Sequence, residues 1–476
     1  MTRYISTRGH GTTKSQVEGT KPKSFEDVLL EGLAPDGGLY IPESWPVMDQ
    51  KILERLGGLP YADVAMQVML PFIGDSISHA DLRKILAETY EKDVFRHASV
   101  TPLVQISPNI WLMEHFHGPT LAFKDVALQF LGRVFDHTLK RRKERITVVG
   151  ATSGDTGSAA IEAIRHCEYA DIFILHPRGR VSEVQRRQMT TVNAKNVYNI
   201  AIDGTFDDCQ NLVKAMFNDV PFRKGMNLSA INSINWARIM AQVVYYFTAA
   251  LALGAPRREV SFSVPTGNFG NIFAAYVARQ MGVPIKRLII STNKNDILTR
   301  FFETGEMKLD HVSPTYSPSM DIQISSNFER YLFDLMQRDT IALNGVMNDF
   351  KKNGKFELGQ GHIKKAWEEF TALRCTDEET LKIMRNCYAE TGIIIDPHTA
   401  VGLHGALSVK DDPSIPIVAL ACAHPAKFPD AVEKAIGIRP PLPDHLSDLL
   451  EREEFLTALP NDLKKLEAFI QSKSRV

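Results

Sequence analysis

Between residues 100 and 292 the chain repeats one pattern: a short β-rich run, a turn, then an apolar stripe at helical spacing. The runs stand at 110–114, 146–149, 172–175, 197–202, 260–264 and 288–291. One stripe, Phe123, Val126, Ala127, Phe130, Leu131 and Val134, follows the i, i+3, i+4, i+7, i+8, i+11 spacing of a helix with one buried face. Such alternation predicts an α/β fold with open, mainly parallel sheets flanked by helices. It also locates a ligand, because these sheets bind at the carboxyl ends of their strands.

The flanks differ. Residues 1–95 carry helical patterns at 24–30, 62–74 and 80–90 around a strong turn at 34–38, which predicts a small α-rich N-terminal unit. Residues 300–330 are irregular and rich in Ser and Pro, and stretches of this length without regular structure are often functional. Helical patterns follow at 328–336, 363–370 and 377–391, then a strand at 417–421. The expected division is an N-terminal unit at 1–95, a core at 96–440 with an inserted segment near 300–350, and a helical tail at 441–476.

Composition excludes several functions. With 44% hydrophobic and 23% charged residues the chain can build a core, and its net charge of -1 leaves no basic excess for nucleic acid or an anionic membrane. The stretch 239–253 is interrupted by Gln242 and Thr248 and reads as a buried helix, not a membrane span. Five scattered cysteines without a CxxC pair predict free thiols and a cytoplasmic location, and no secretory signal is recognised. Cys422 and His424 have no second ligand pair, so no metal is expected.

Two Gly-rich turns follow strands and open helices. One runs through Gly150 and Thr152 to Ser153, Gly154, Asp155, Thr156 and Gly157; the other is Gly267, Asn268, Phe269, Gly270 and Asn271. Backbone N–H groups at such turns bind anions, so the pair suggests a ligand with two anionic groups, for example a phosphate and a carboxylate. A nicotinamide-dependent oxidoreductase is the alternative for the first turn. Against it, the next strand ends at Leu175-His176-Pro177 without an acid for a ribose hydroxyl, and none of the 12 tyrosines has Lys four positions on. Lys124 follows Pro119, which is suited to begin a helix, and would then lie within about its first turn and a half. Burial and the helix N-terminus would both disfavour its ammonium form and leave an amine able to form a Schiff base. Periodicity alone favours a surface lysine that snorkels to solvent.

The segment His117-Gly-Pro-Thr-Leu-Ala-Phe-Lys124-Asp125 resembles the lysine motif of the threonine synthase family. So, in order, do Tyr4 to Arg8, Gly32 to Tyr40, Gly150 to Gly157, Gly267 to Asn271, Ser319 to Ile322, Ser326 to Arg330 and Ala423 to Phe428. The resemblance spans nearly the whole chain and favours the long bacterial and fungal branch. It implies the pyridoxal 5'-phosphate fold type II of the tryptophan synthase β subunit. It implies Lys124 as Schiff-base lysine and principal base, Gly267 to Asn271 as phosphate cradle, and Ser153 to Gly157 as receiver of the substrate carboxylate. It suggests Cys422 opposite the pyridine nitrogen and Lys427 on the substrate phosphate, with His115 and His117 as packing or supporting groups. The implied reaction converts O-phospho-L-homoserine and water to L-threonine and phosphate in a monomer. A phospholyase releasing 2-oxobutyrate and a non-catalytic binding protein are the remaining alternatives.

Overall fold

The computed structural model describes residues 2–9, 22–230, 233–410 and 412–476. The chain forms two compact units, one from residues 1–29, 33–117 and 233–440, the other from 30–32, 118–232 and 441–476.

The first unit is built on a six-stranded sheet in the order Phe370–Arg374, Ile285–Thr292, Val260–Pro265, Ile417–Ala421, Ile110–Glu114 and Leu103–Ser107. All neighbours are parallel except the last pair. Val260–Pro265 alternates large and small side chains, a pattern that ordinarily marks a half-exposed strand. Instead it is buried along its whole length. The serines face the helix Pro397–Ser408, where Ser263 Oγ donates to Gly402 O at 2.6 Å. A Cβ at Gly405 would lie 2.1 Å from Ser291 Oγ, so small residues on both sides let helix and sheet touch. The interrupted apolar stretch forms the helix Trp236–Ala252, buried on nearly every side. Among the described residues no helix is long and apolar enough to cross a membrane.

The N-terminal segment of this unit pairs Tyr4–Ser6 antiparallel to Tyr40–Pro42 and is anchored by charge. Arg8 Nε and Nη2 donate to the two oxygens of Glu329 at 2.9 and 2.6 Å, while Thr7 Oγ1 donates to the same carboxylate. Arg330 next door is fully buried, and it donates to the carbonyls of Tyr40 and Ile234 and to Asn327 Oδ1. Residues 2–8 are thereby joined to a helix more than 300 positions away.

The second unit holds a five-stranded, wholly parallel sheet in the order Thr457–Pro460, Val197–Asp203, Ala170–Pro177, Ile146–Ala151 and Leu228–Ser229. Its edge strand comes from the tail, for which the sequence predicts only helix; the helix Leu463–Lys473 does follow. The helices Lys124–Arg142 and Asp155–Ile164 approach closely because Gly132 has no side chain. A Cβ there would meet Ala163 O at 2.1 Å.

Candidate active site

In the second unit Lys124 is the first residue of its helix, which does not begin at Pro119 as expected. The reason is local. Leu121 has a left-handed φ of 60°, which an α-helix cannot include. Pro119 and Thr120 instead form a turn closed by Asp125, whose carboxylate accepts from Thr120 N at 2.8 Å and Thr120 Oγ1 at 2.6 Å. The lysine is 8% exposed and its Nζ stands 3.5 Å from Asp155 Oδ2. Burial needs this partner, because an unpaired ammonium in a protein interior is costly.

Asp155 opens the helix Asp155–Ile164. Gly154 precedes it at φ 149°, outside the range of ordinary side chains. Thr152 Oγ1 accepts from both Gly154 N and Gly157 N at 2.9 Å. Two of the five amides expected to receive an anion are therefore used in shaping the turn, while Ser153 is exposed and Thr156 half-buried.

In the first unit the turn at Gly267–Asn271 places Phe269 at φ 60° and starts the helix Gly270–Gln280 immediately after it. Its first N–H groups lack intrahelical acceptors, as at every helix start. The irregular segment forms the wall behind this turn. Ser325 Oγ donates to Gly267 O at 2.6 Å, Asn327 N and Nδ2 donate to Asn268 O, and a Cβ on Gly267 would meet Met320 Cα at 3.3 Å. A buried acid supports that wall: Asp396 bonds His398 Nδ1 at 2.7 Å, and His398 Nε2 accepts from Ser319 N at 3.2 Å. Asp396 and His398 lie outside every motif singled out above, so this relay was not legible beforehand.

Asn271 is held by two phenols: Tyr246 OH donates to its Oδ1 at 2.8 Å, and Tyr245 OH donates to the same atom. Burial raises both phenols well above their ordinary range, with Cys422 close enough to add to the rise, so they remain neutral donors. Cys422 itself is buried, with Sγ 3.8 Å from Leu420 O. His115, fully buried edge-on against Tyr245, is lowered by that burial to about 3 and stays neutral; His117 lies beside Glu114 at 2.8 Å. Lys427 is fully buried in the turn Pro425–Lys427.

A cation not foreseen from sequence appears here. Arg238, on the face of the helix that also carries Tyr245, is buried and lowered by burial to about 10, and its Nη1 has no acceptor. Its neighbour Ile239 lies 3.5 Å from where a Cβ on Gly270 would be. Asn271 Nδ2 is likewise buried without an acceptor. Buried donors in native proteins are normally satisfied, so Asn271 Nδ2 in the first turn of an open helix start is what an anionic group would complete, and Arg238 Nη1 is a separate donor for a second anion. The chain thus fits a phosphate-bearing cofactor. The only sequence signal was a lone arginine just before a long apolar run. Among the described residues Cys375, Glu379 and His404 bring ligand-type atoms within 4.8 Å of one another, yet Glu379 already caps its helix through Thr376.

Family models agree with this arrangement along the chain. Residues 3–90 match the threonine synthase N terminus, 94–347 the pyridoxal-phosphate dependent enzymes, and 399–470 the C-terminal part of threonine synthase. A threonine synthase of Pseudomonas aeruginosa is 55% identical over 98% of each chain. The crystal structure of a PLP-bound threonine synthase from Brucella melitensis superposes with a TM-score of 0.96 at 51% identity, covering 100% of both chains. The yeast threonine synthase structure gives 0.93 at 41% identity, covering 99% of this chain and 98% of that one. The chain belongs to the threonine synthase family, within the pyridoxal-phosphate-dependent enzymes.

Proposed function

We propose that the chain converts O-phospho-L-homoserine and water to L-threonine and inorganic phosphate, with Lys124 as the residue that moves protons. The observation that carries this reading is a buried lysine at a helix start, 3.5 Å from a carboxylate. When bound through Lys124, pyridoxal phosphate supplies an electron sink that acidifies the substrate Cα–H and, in turn, Cβ–H. The chain's own groups do the rest. Lys124 takes the proton from Cα and then one from Cβ, returns one to Cγ as the Cγ–O bond to phosphate breaks, and restores the other to Cα after water has given its hydroxyl to Cβ and its proton to the released phosphate; a single amine on a short tether can reach adjacent carbons. Water adds at Cβ.

Gly267, Asn268, Phe269, Gly270 and Asn271 would hold the cofactor phosphate through backbone N–H groups. Cys422 would face the pyridine nitrogen as a neutral, weak hydrogen-bonding partner. Ser153, Gly154, Asp155, Thr156 and Gly157 would form the loop that receives the substrate α-carboxylate, Gly154 N and Gly157 N shaping it through Thr152 Oγ1. Lys427, on the strength of the segment Ala423 to Phe428, and Arg238, with a buried Nη1 that has no acceptor, would meet the substrate phosphate. The domain reading remains an N-terminal unit at 1–95, a catalytic core at 96–440 and a tail at 441–476. The balanced charge fits a monomeric cytoplasmic enzyme of small molecules, without nucleic-acid or membrane partners.

The test is an absorption spectrum followed by product analysis on phosphohomoserine. The expected result is a yellow protein that releases phosphate and threonine in equal amounts. Release of 2-oxobutyrate instead of threonine overturns the synthase reading. Lys124→Ala should purify without the yellow band and lose at least a thousandfold in turnover.

A further inference from the structure

The helix Glu183–Thr190 has no place in the reaction just described, yet it faces Lys124's surroundings with two buried amides three positions apart. Gln185 Nε2 donates to Asp155 Oδ1 at 2.8 Å, while the other oxygen of that carboxylate stands 3.5 Å from Lys124 Nζ. The amide cannot turn over freely, because its Oε1 accepts from Ser182 Oγ at 2.9 Å. Gly154 makes room for it: a Cβ there would lie 2.5 Å from Gln185 Cδ. Gln188 Nε2 donates to Thr120 O at 3.1 Å, and Val184 packs with the left-handed Leu121 and with Leu446 and Leu449 of the tail.

The outer face of the same helix is clamped by the C-terminal segment. Glu454 binds Arg186, Arg187 and Thr190 Oγ1, and Arg187 Nη1 donates to Arg452 O at 2.8 Å.

We propose that Gln185 is a positioning residue for Lys124: it fixes the Asp155 carboxylate so that one oxygen is spent on the amide and the other faces the lysine. This deepens the proposed reaction and rests on it. The physical need is plain. Asp155 begins a helix in the very loop proposed to receive a carboxylate, where a mobile negative charge would repel the ligand and abandon the amine. Holding it on the lysine side removes both faults. The charged groups facing this arrangement are Lys124 on one side and Arg186, Arg187 and Glu454 on the other; His176, buried next to Arg186 and Glu454, is kept below its ordinary range by burial.

The experiment compares Gln185→Met and Gln185→Glu with the native holoenzyme, reading kcat, KM, Tm and the pH titration of the yellow band. Gln185→Met should keep its Tm within a few degrees and its band, shift the pH midpoint of that band, and lose roughly ten- to a hundredfold in kcat with KM changed by less than about threefold. In Gln185→Glu, kcat relative to the native enzyme should recover as pH falls, because only a protonated glutamic acid can donate to Asp155 as the amide does. Native kcat and band titration in Gln185→Met, or a pH-independent ratio in Gln185→Glu, overturns the proposal. If Gln185→Met does not fold, the pH profile of Gln185→Glu decides. A native protein without a yellow band would sink the proposed reaction itself, a distinct failure.

Discussion

Arg238 is the residue whose position is hardest to justify by stability. A guanidinium taken out of water without a carboxylate is destabilising, and Nη1 has no acceptor. The proposed reaction gives it a use, as a partner for the substrate phosphate. Arg238→Met should therefore leave the unfolding temperature unchanged or higher while raising KM for phosphohomoserine at least tenfold; a lowered Tm with unchanged KM would reduce it to a structural group. Lys427→Met should raise KM in the same assay, and an unchanged KM removes Lys427 from the site. Sequence could point at Lys124 because resemblance fixed the motif around it. It could not point at Arg238 or Gln185, since a lone charge near an apolar run and a glutamine in a polar stretch look like surface residues until burial is known.

At the scale of elements, most strands of both sheets were legible, 110–114 and 417–421 to the residue, because β-rich runs bounded by turns are strong local signals. Helix starts were less legible. Leu121 and Phe269 take left-handed φ values that their side chains resist, and only packing holds them there. The tail was read as helix alone because its strand, Thr457–Pro460, is four residues long with alternate exposure and forms only through Val197–Asp203. The tail is nonetheless core: Leu466 and Ile470 are fully buried against Ile200, Ile202 and Cys209. Removing residues 456–476 strips an edge strand and two core side chains, each worth about 2–3 kcal/mol of burial. The shortened chain should be recovered as aggregate, or with the second unit sensitive to protease; a soluble, active product would show that the tail is dispensable.

For the molecule as a whole, buried histidines add to acid sensitivity, and among the described residues His115 is the most strongly shifted of them. Its folded value of about 3 lies below the ordinary 6.5 because burial penalises the charged ring. Above pH 6.5 this ring is neutral in both the folded and unfolded states and its contribution to stability is fully present. As pH falls from 6.5 toward 3 only the unfolded chain takes the proton, and stability drops by up to about 1.4 kcal/mol per pH unit. Urea midpoints at pH 7.5, 6 and 5 should fall accordingly, and His115→Phe should flatten the slope; an equal slope in both proteins would place the acid sensitivity elsewhere.

The sequence by itself determined the class of architecture and the two Gly-rich turns, because alternating periodicity and glycine placement are properties of neighbouring residues; it singled out Lys124 only through the resemblance of the motif around it. Tertiary structure alone decided which groups those motifs face: Asp155 held by Gln185, Asn271 held by Tyr245 and Tyr246, Ser319 held by His398, and Arg238 Nη1 buried without an acceptor among the described residues. Pairs separated by tens of positions are fixed by how sheets and helices pack, and no local pattern encodes that distance.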